Sequence, residues 1–218
     1  MDGKLLLLIC MIVMLGLTVV RRRKYQVSLI KWIPLTLSIA LMGLLGTYIM
    51  FWIENGEWYG QSFFGAVLFY PVLLLPVAII FRVQLLELLD YATPPGLALL
   101  APFKLNCYMG GCCGGRVLIY DENGIPTHFP SQLVELFVAI ILTCIMLRLE
   151  TIPKYKHKIY PMCLVLYGAS RFILNWFRWE QEKNIIGLTA GSTWSLISCC
   201  IGLLWLWLSK KEFKGEME

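Results

Sequence analysis

Charge is what this 218-residue chain has least of: 15% of its residues are Asp, Glu, Lys or Arg, against roughly 25% in soluble domains. With 58% hydrophobic residues and a mean hydropathy of +0.69, that scarcity excludes a solvated domain and puts the chain in lipid. Histidine is scarcer still, with only His128 and His157, so imidazole acid–base chemistry has few places to reside. No small-residue cleavage site follows the N-terminal apolar run. RRRK at 21–24 stands there instead, and the run reads as a retained helix. No repeat, low-complexity tract or second domain is visible, so 1–218 is expected to form a single transmembrane domain. The basic residues never make one continuous face, which argues against a nucleic-acid partner.

What is present is apolar sequence in helix-length blocks. A spanning helix needs about 20 mostly apolar residues, and seven segments approach that length, at about 5–20, 30–52, 62–81, 86–103, 131–148, 159–178 and 188–208. The expected fold is therefore an all-α integral membrane protein of seven transmembrane helices. The fourth segment carries Asp90, Pro94 and Pro95, tolerable only where neighbours satisfy the freed backbone groups. The connection 104–130, with Pro126, Pro130 and the Asn123–Gly124 turn signal, is expected to form a small cap outside the membrane. Thirteen of the nineteen Lys and Arg residues fall in alternate connections on one side, from Arg21–Lys24 to Lys214. The cytoplasmic side holds such an excess, which predicts N-out and C-in, with 104–130 on the outer face.

Arg171 is the one cation well inside a segment, about seven residues and so roughly 10 Å from its outer end. A guanidinium at mid-helix costs about 2.5–3.5 kcal/mol on insertion scales and requires a partner. Two readings stand: a functional cation, or a structural one that snorkels to the interface or sits in a buried ion pair. Ser62–Gly65, Lys104, Gln132, Glu135, Tyr167 and Asn175 are predicted at the same outer level. Two cations, one carboxylate, amides and a phenol suit an anionic headgroup whose acyl tails stay in lipid. Polar residues lining an outward-facing ion or solute path would cluster the same way.

Five of the eight cysteines lie in apolar runs, where Cys behaves as a small hydrophobe; Cys107, Cys112 and Cys113 fall in the loop segment CYMGGCCGGR, 107–116. Its four glycines let the backbone approach a ligand and offer successive N–H groups to an anion. A disulfide, a three-Cys metal site with His128, and plain tight packing are the other readings; the spacing matches no zinc ribbon or finger. The neighbours of His128 read as a turn, and His157 in KYKHK reads as a solvated basic loop.

Five stretches, in order, resemble bacterial prolipoprotein diacylglyceryl transferases: GQSFFGAVLF at 60–69, DYATPPGLALLAPFKLNCYMGGCCGGR at 90–116, FPSQLVELF at 129–137, LYGASRFILNWFR at 166–178 and GLTAGSTWSL at 187–196. The resemblance implies transfer of the diacylglyceryl group of phosphatidylglycerol to the lipobox cysteine thiol of a secreted prolipoprotein precursor, with glycerol phosphate released. It implies no metal and no diffusible cofactor, with membrane lipids as surroundings, a bacterial inner-membrane location and an active site facing outward. Arg171 matches the sixth-helix arginine, Tyr167 the tyrosine before it and Gly115 the glycine closing the loop motif. These imply catalytic roles for Arg171 and Tyr167. Lys104, Gly115, Arg116, Gln132, Glu135, Asn175, Phe64 and Gly65 would line the substrate. The chain departs from the family pattern where it has Phe64 for His, Lys104 for Arg, Cys107 for Asn, and Cys112 and Asn175 for carboxylates. Losing that histidine removes an acid or base, so a non-catalytic lipid- or lipoprotein-binding protein on the same scaffold is the alternative expectation.

Overall fold

The computed structural model describes residues 2–112, 114–120, 124–178 and 187–215, with side chains as far as Ser209. Eight α-helices carry it: α1 Gly3–Arg21, α2 Leu29–Asn55, α3 Phe63–Phe81, α4 Leu85–Ala98, α5 Leu100–Met109, α6 Ser131–Leu149, α7 Ile159–Asn175 and α8 Ala190–Gly215. Local chemistry sets their ends. Asp2 accepts from the Lys4 amide at the start of α1, Ser28 from the Lys31 amide at the start of α2, and left-handed Gly56 (φ 74°) closes α2.

Five of these helices are long and apolar enough to cross a membrane: α1, α2, α3, α6 and the stretch Ala190–Ser209 of α8. Exposed Leu7, Ile12, Ile30, Val72, Ile79 and Ile80 present apolar surface that only lipid would cover without cost. The other two expected segments differ from their sequence reading. The fourth is two helices meeting at Leu99, because Pro102 has no N–H to offer the Ala98 carbonyl. The sixth ends at Asn175, three residues early. The expected loop at 104–130 begins only after Met109: its first six residues complete α5, and left-handed Gly111 (φ 67°) turns the chain away. Beyond it, β1 Val117–Tyr120 pairs antiparallel with β2 Pro126–His128, a short hairpin in an otherwise helical fold.

Prolines inside helices free carbonyls four residues upstream, and the tertiary structure supplies donors to those of Val67, Asp90 and Tyr91. Pro94 and Pro95 free the carbonyls of Asp90 and Tyr91. The Arg21 guanidinium donates to both, through Nη2 at 2.9 Å and Nη1 at 2.5 Å. Arg21 also pairs with Glu150 at 2.6 Å and lies against the rings of Tyr25 and Tyr91. It is 6% exposed, so the first arginine of RRRK is a core residue rather than part of a solvated run. Pro71 frees the Val67 carbonyl, and the Tyr160 hydroxyl donates to it at 2.6 Å.

Asp90 does a second job in the same region. Its carboxylate accepts from the amides of His157 (2.6 Å), Ile159 (3.1 Å) and Tyr160 (3.4 Å), capping α7 from another helix. A cavity of about 340 Å³ opens beside it, lined in part by Lys24, Glu87, Glu150, Lys156 and His157. Lys24 pairs with Glu150 at 3.3 Å and Lys156 with Glu87 at 3.1 Å. Burial and the neighbouring Lys156 hold the His157 imidazole below its ordinary pKa.

Glycines set the closest helix contacts. A Cβ on Gly65 of α3 would collide with the Gly46 carbonyl oxygen of α2, and one on Gly168 of α7 would stand 2.7 Å from the Ser195 carbonyl of α8. These crossings bring backbone against backbone, as small residues permit in lipid.

Arg21→Ala leaves two carbonyls without their donor and Glu150 with only the more exposed Lys24, and is expected to cost about 3–5 kcal/mol. The loss is expected to shrink in a Pro94→Ala/Pro95→Ala background, where intrahelical amides replace the guanidinium. A double-mutant cycle on thermal unfolding in detergent measures that coupling. Gly65→Ala is expected to lower stability by about 1–3 kcal/mol in the same assay, through overpacking against Gly46.

Candidate functional site

At the end of the bundle opposite Arg21, four segments converge on one carboxylate. Glu135 lies near the start of α6, three residues after Gln132 and on the same face. Lys104 of α5 reaches Glu135 Oε2 at 2.5 Å, Arg171 of α7 donates to Oε1, and Arg178, just beyond α7, stands 3.7 Å from the same oxygen. The carboxylate is 4% exposed and the cations 12–14%, so this is a largely desolvated group. Among the described residues, three cations against one carboxylate leave a net charge of +2. Such an excess is unfavourable in a dry site unless an anion completes it.

The required partner of Arg171 is therefore Glu135, and Lys104 does point into the cluster. Arg178 was not singled out by the sequence reading. Its signal was present: it follows Arg171 by seven residues, close to two helical turns, and so returns to the same face. The hairpin fixes Arg178 in place, because Gly115 bridges to it and the Arg116 amide donates to the Phe177 carbonyl at 3.1 Å.

The remaining expected site residues divide. Gln132 Nε2 donates to the Cys112 carbonyl at 2.5 Å and ties the glycine-rich loop to α6. Tyr167, one turn before Arg171, is buried against Phe63 and Phe64, with ring centroids at 5.3 and 5.5 Å. Asn175 leans on α8: its Nδ2 lies 3.4 Å from the Ser192 hydroxyl, while its buried Oδ1 has no hydrogen-bond partner among the described residues. Gly65 packs on Gly46, as described, and its close approach is to α2.

Gly115 has the same character. A Cβ there would meet the carbonyls of Phe129 and Phe177, so glycine is required where hairpin and α7 exit touch. Arg116 is exposed and stacks over Phe177 at 5.3 Å instead of joining the cluster. His128 Nδ1 lies 3.1 Å from the Gly115 carbonyl, an interaction that steadies the hairpin. Cys112 is exposed, with its amide donating to the Cys107 carbonyl at 3.1 Å, and Cys113 lies outside the described residues. Among the described residues no three His, Cys, Asp or Glu side chains converge as metal ligands would.

A sequence model of prolipoprotein diacylglyceryl transferases matches residues 5–208. The chain belongs to this family. Among transferase relatives, the phosphatidylglycerol–prolipoprotein diacylglyceryl transferase of Clostridium tetani is 22% identical over 131 residues, covering 55% of this chain and 52% of the relative. Transferase 2 of Clostridium perfringens is 28% identical over 147 residues, 62% and 56% of the two chains. The enzyme of Bordetella parapertussis is 29% identical over 140 residues, 60% and 52%. The chain spans about half the length of the relatives it matches. Family membership and the apolar helices together make it a bacterial multi-pass membrane protein.

Glu135→Gln removes the one carboxylate from a cluster of three cations and is expected to cost about 3–5 kcal/mol of stability in neutral detergent. Anionic phospholipid is expected to recover part of that loss and zwitterionic lipid none of it. Thermal unfolding with each lipid reads the difference.

Proposed function

We propose that this chain transfers the diacylglyceryl group of phosphatidylglycerol to a lipobox cysteine thiol of a secreted prolipoprotein, releasing glycerol phosphate. The observation that carries this is the net +2 cluster of Lys104, Arg171 and Arg178 around Glu135. A phosphodiester brings one negative charge, and its departure as a monoester develops a second. A desolvated, prearranged set of cations stabilises that developing charge most where water is excluded. Arg171 and Arg178 contribute planar forks, Lys104 a point charge, and Glu135 holds all three in register before substrate arrives. Gln132 and Gly115 act one step away, by fixing the loop and the α7 exit. Tyr167, with Phe64, forms an aromatic floor beneath Arg171. No metal or diffusible cofactor enters the reaction, and nucleic acid is not among the partners.

The same reading assigns the topology. The whole chain forms one domain with seven crossings, α4 and α5 together making the fourth. Thirteen of nineteen Lys and Arg residues belong to the connections at the Arg21 end, which makes that end cytoplasmic. The N-terminus and the Glu135 cluster then face outward from the bacterial inner membrane, where secreted precursors emerge.

Phe64 favours a second reading. It is buried against Tyr167 and supplies no protic group where the family pattern has histidine, which suits a lipid-binding relative without turnover. Transfer of labelled diacylglycerol from phosphatidylglycerol to a lipobox-cysteine peptide separates the two. Turnover by the wild type is expected, with a loss of about 10²–10³-fold in Arg171→Ala, the range for removing one donor to a developing charge. Lipid binding with no turnover in any condition establishes the second reading instead.

A further inference from the structure

Resting on the transferase reading, we propose that Glu54 is the base that takes the proton from the acceptor thiol, in place of the histidine this chain lacks. Thiol attack needs the thiolate, and a cysteine with an ordinary pKa of about 8.5 is mostly protonated near pH 7. Glu135 cannot serve, since three cations occupy its oxygens. His128 is engaged with the hairpin backbone, and His157 stands at the opposite end of the bundle.

Glu54 stands in a different environment. It is the penultimate residue of α2, half-buried at the same end as the cation cluster. The Ser62 hydroxyl donates to its Oε1 at 3.3 Å, and the Trp194 side chain of α8 lies near the carboxylate. No Lys or Arg among the described residues pairs with it, so only neutral groups hold it. A carboxylate that no cation among the described residues occupies keeps lone pairs open to a proton. The neighbouring Glu57 is exposed and engages Tyr59, at the surface.

Glu54 connects to the neighbourhood of Tyr167 through Ser62, which adjoins Phe63, whose ring meets Tyr167. Glu135 and Lys104 approach Arg171 from α6 and α5, so the Glu54 carboxylate and the cation cluster are held by different helices. Attack on a saturated carbon requires nucleophile and leaving group on opposite sides of it. The thiol proton passes to the Glu54 carboxylate, and the sulfur electron pair forms the C–S bond at the glyceryl CH₂. The C–O bond to phosphorus breaks, its pair leaving with glycerol phosphate into the cation cluster, and Glu54 returns its proton to water.

The test is the same transfer assay with Glu54→Gln, Glu54→Asp and Glu57→Gln in full-length protein. Glu54→Gln is expected to slow transfer to a cysteine peptide by about 10²–10⁴-fold near neutral pH, the span for a general base. The deficit is expected to narrow as pH rises toward the thiol pKa, and to narrow also with a selenocysteine peptide, whose selenol ionises without help. Glu54→Asp is expected to retain part of the rate and Glu57→Gln all of it. A Glu54→Gln defect equal for thiol and selenol at every pH, or no defect at all, overturns the role of Glu54 while leaving the transferase intact. Absence of transfer by the wild type overturns both.

Discussion

In lipid a backbone carbonyl has no water to turn to, and every proline placed inside a spanning helix creates one that must find another donor. This protein places two in succession, Pro94 and Pro95, in the middle of its bundle. The consequence reaches well beyond α4. Arg21 is drawn from the end of α1 into the core to serve the carbonyls of Asp90 and Tyr91, and its charge then requires Glu150 from the end of α6. Asp90, held in this region, caps α7. One local backbone defect thus links α1, α4, α6 and α7 at a single level, and Tyr160 repeats the device for Pro71 of α3.

Two ends of the same bundle handle buried charge in opposite ways. At the Arg21 end the buried guanidinium meets one carboxylate and two carbonyls, and the arrangement closes on itself. At the Glu135 end the accounts do not balance: Lys104, Arg171 and Arg178 share one carboxylate. A closed network contributes stability and fixes helix positions. An unbalanced one, held rigid by the helices that the first network positions, retains attraction for an anion. Balanced and unbalanced charge are thereby separated along the bundle axis, with the closed clasp helping to set the helix ends that carry the open cluster.

The departures of this chain from its family pattern take physical form at the second end. Phe64 extends the apolar contact around Tyr167, and Asn175 directs its amide toward α8, where Gly191 leaves room for it. The loss of an imidazole and a carboxylate reduces the acid–base capacity of this region, while Lys104 in place of arginine keeps a cation on Glu135. Phosphate recognition and proton transfer are therefore separable demands on this scaffold. Glu54, bonded to Ser62 and paired with no cation among the described residues, is where a base can be housed without being neutralised by the cluster.

Sequence alone determined the class of structure. Composition and apolar block length depend on no neighbour, and they sufficed for a helical membrane protein with the boundaries of α1, α3 and α6 nearly in place. Helix periodicity, likewise local, put Gln132 and Glu135 on one face and Tyr167 one turn from Arg171. Tertiary structure decided the pairings. That Arg21 is a core residue, that Arg178 joins Arg171 on Glu135, that Gly65 and Gly115 serve backbone contacts, and that α4 and α5 part at Leu99 all depend on groups distant in the chain. A buried charge or a freed carbonyl declares in the sequence only that it needs a partner. Which partner it takes depends on what the fold brings within about 3 Å, because hydrogen bonds and contact ion pairs act only at that range.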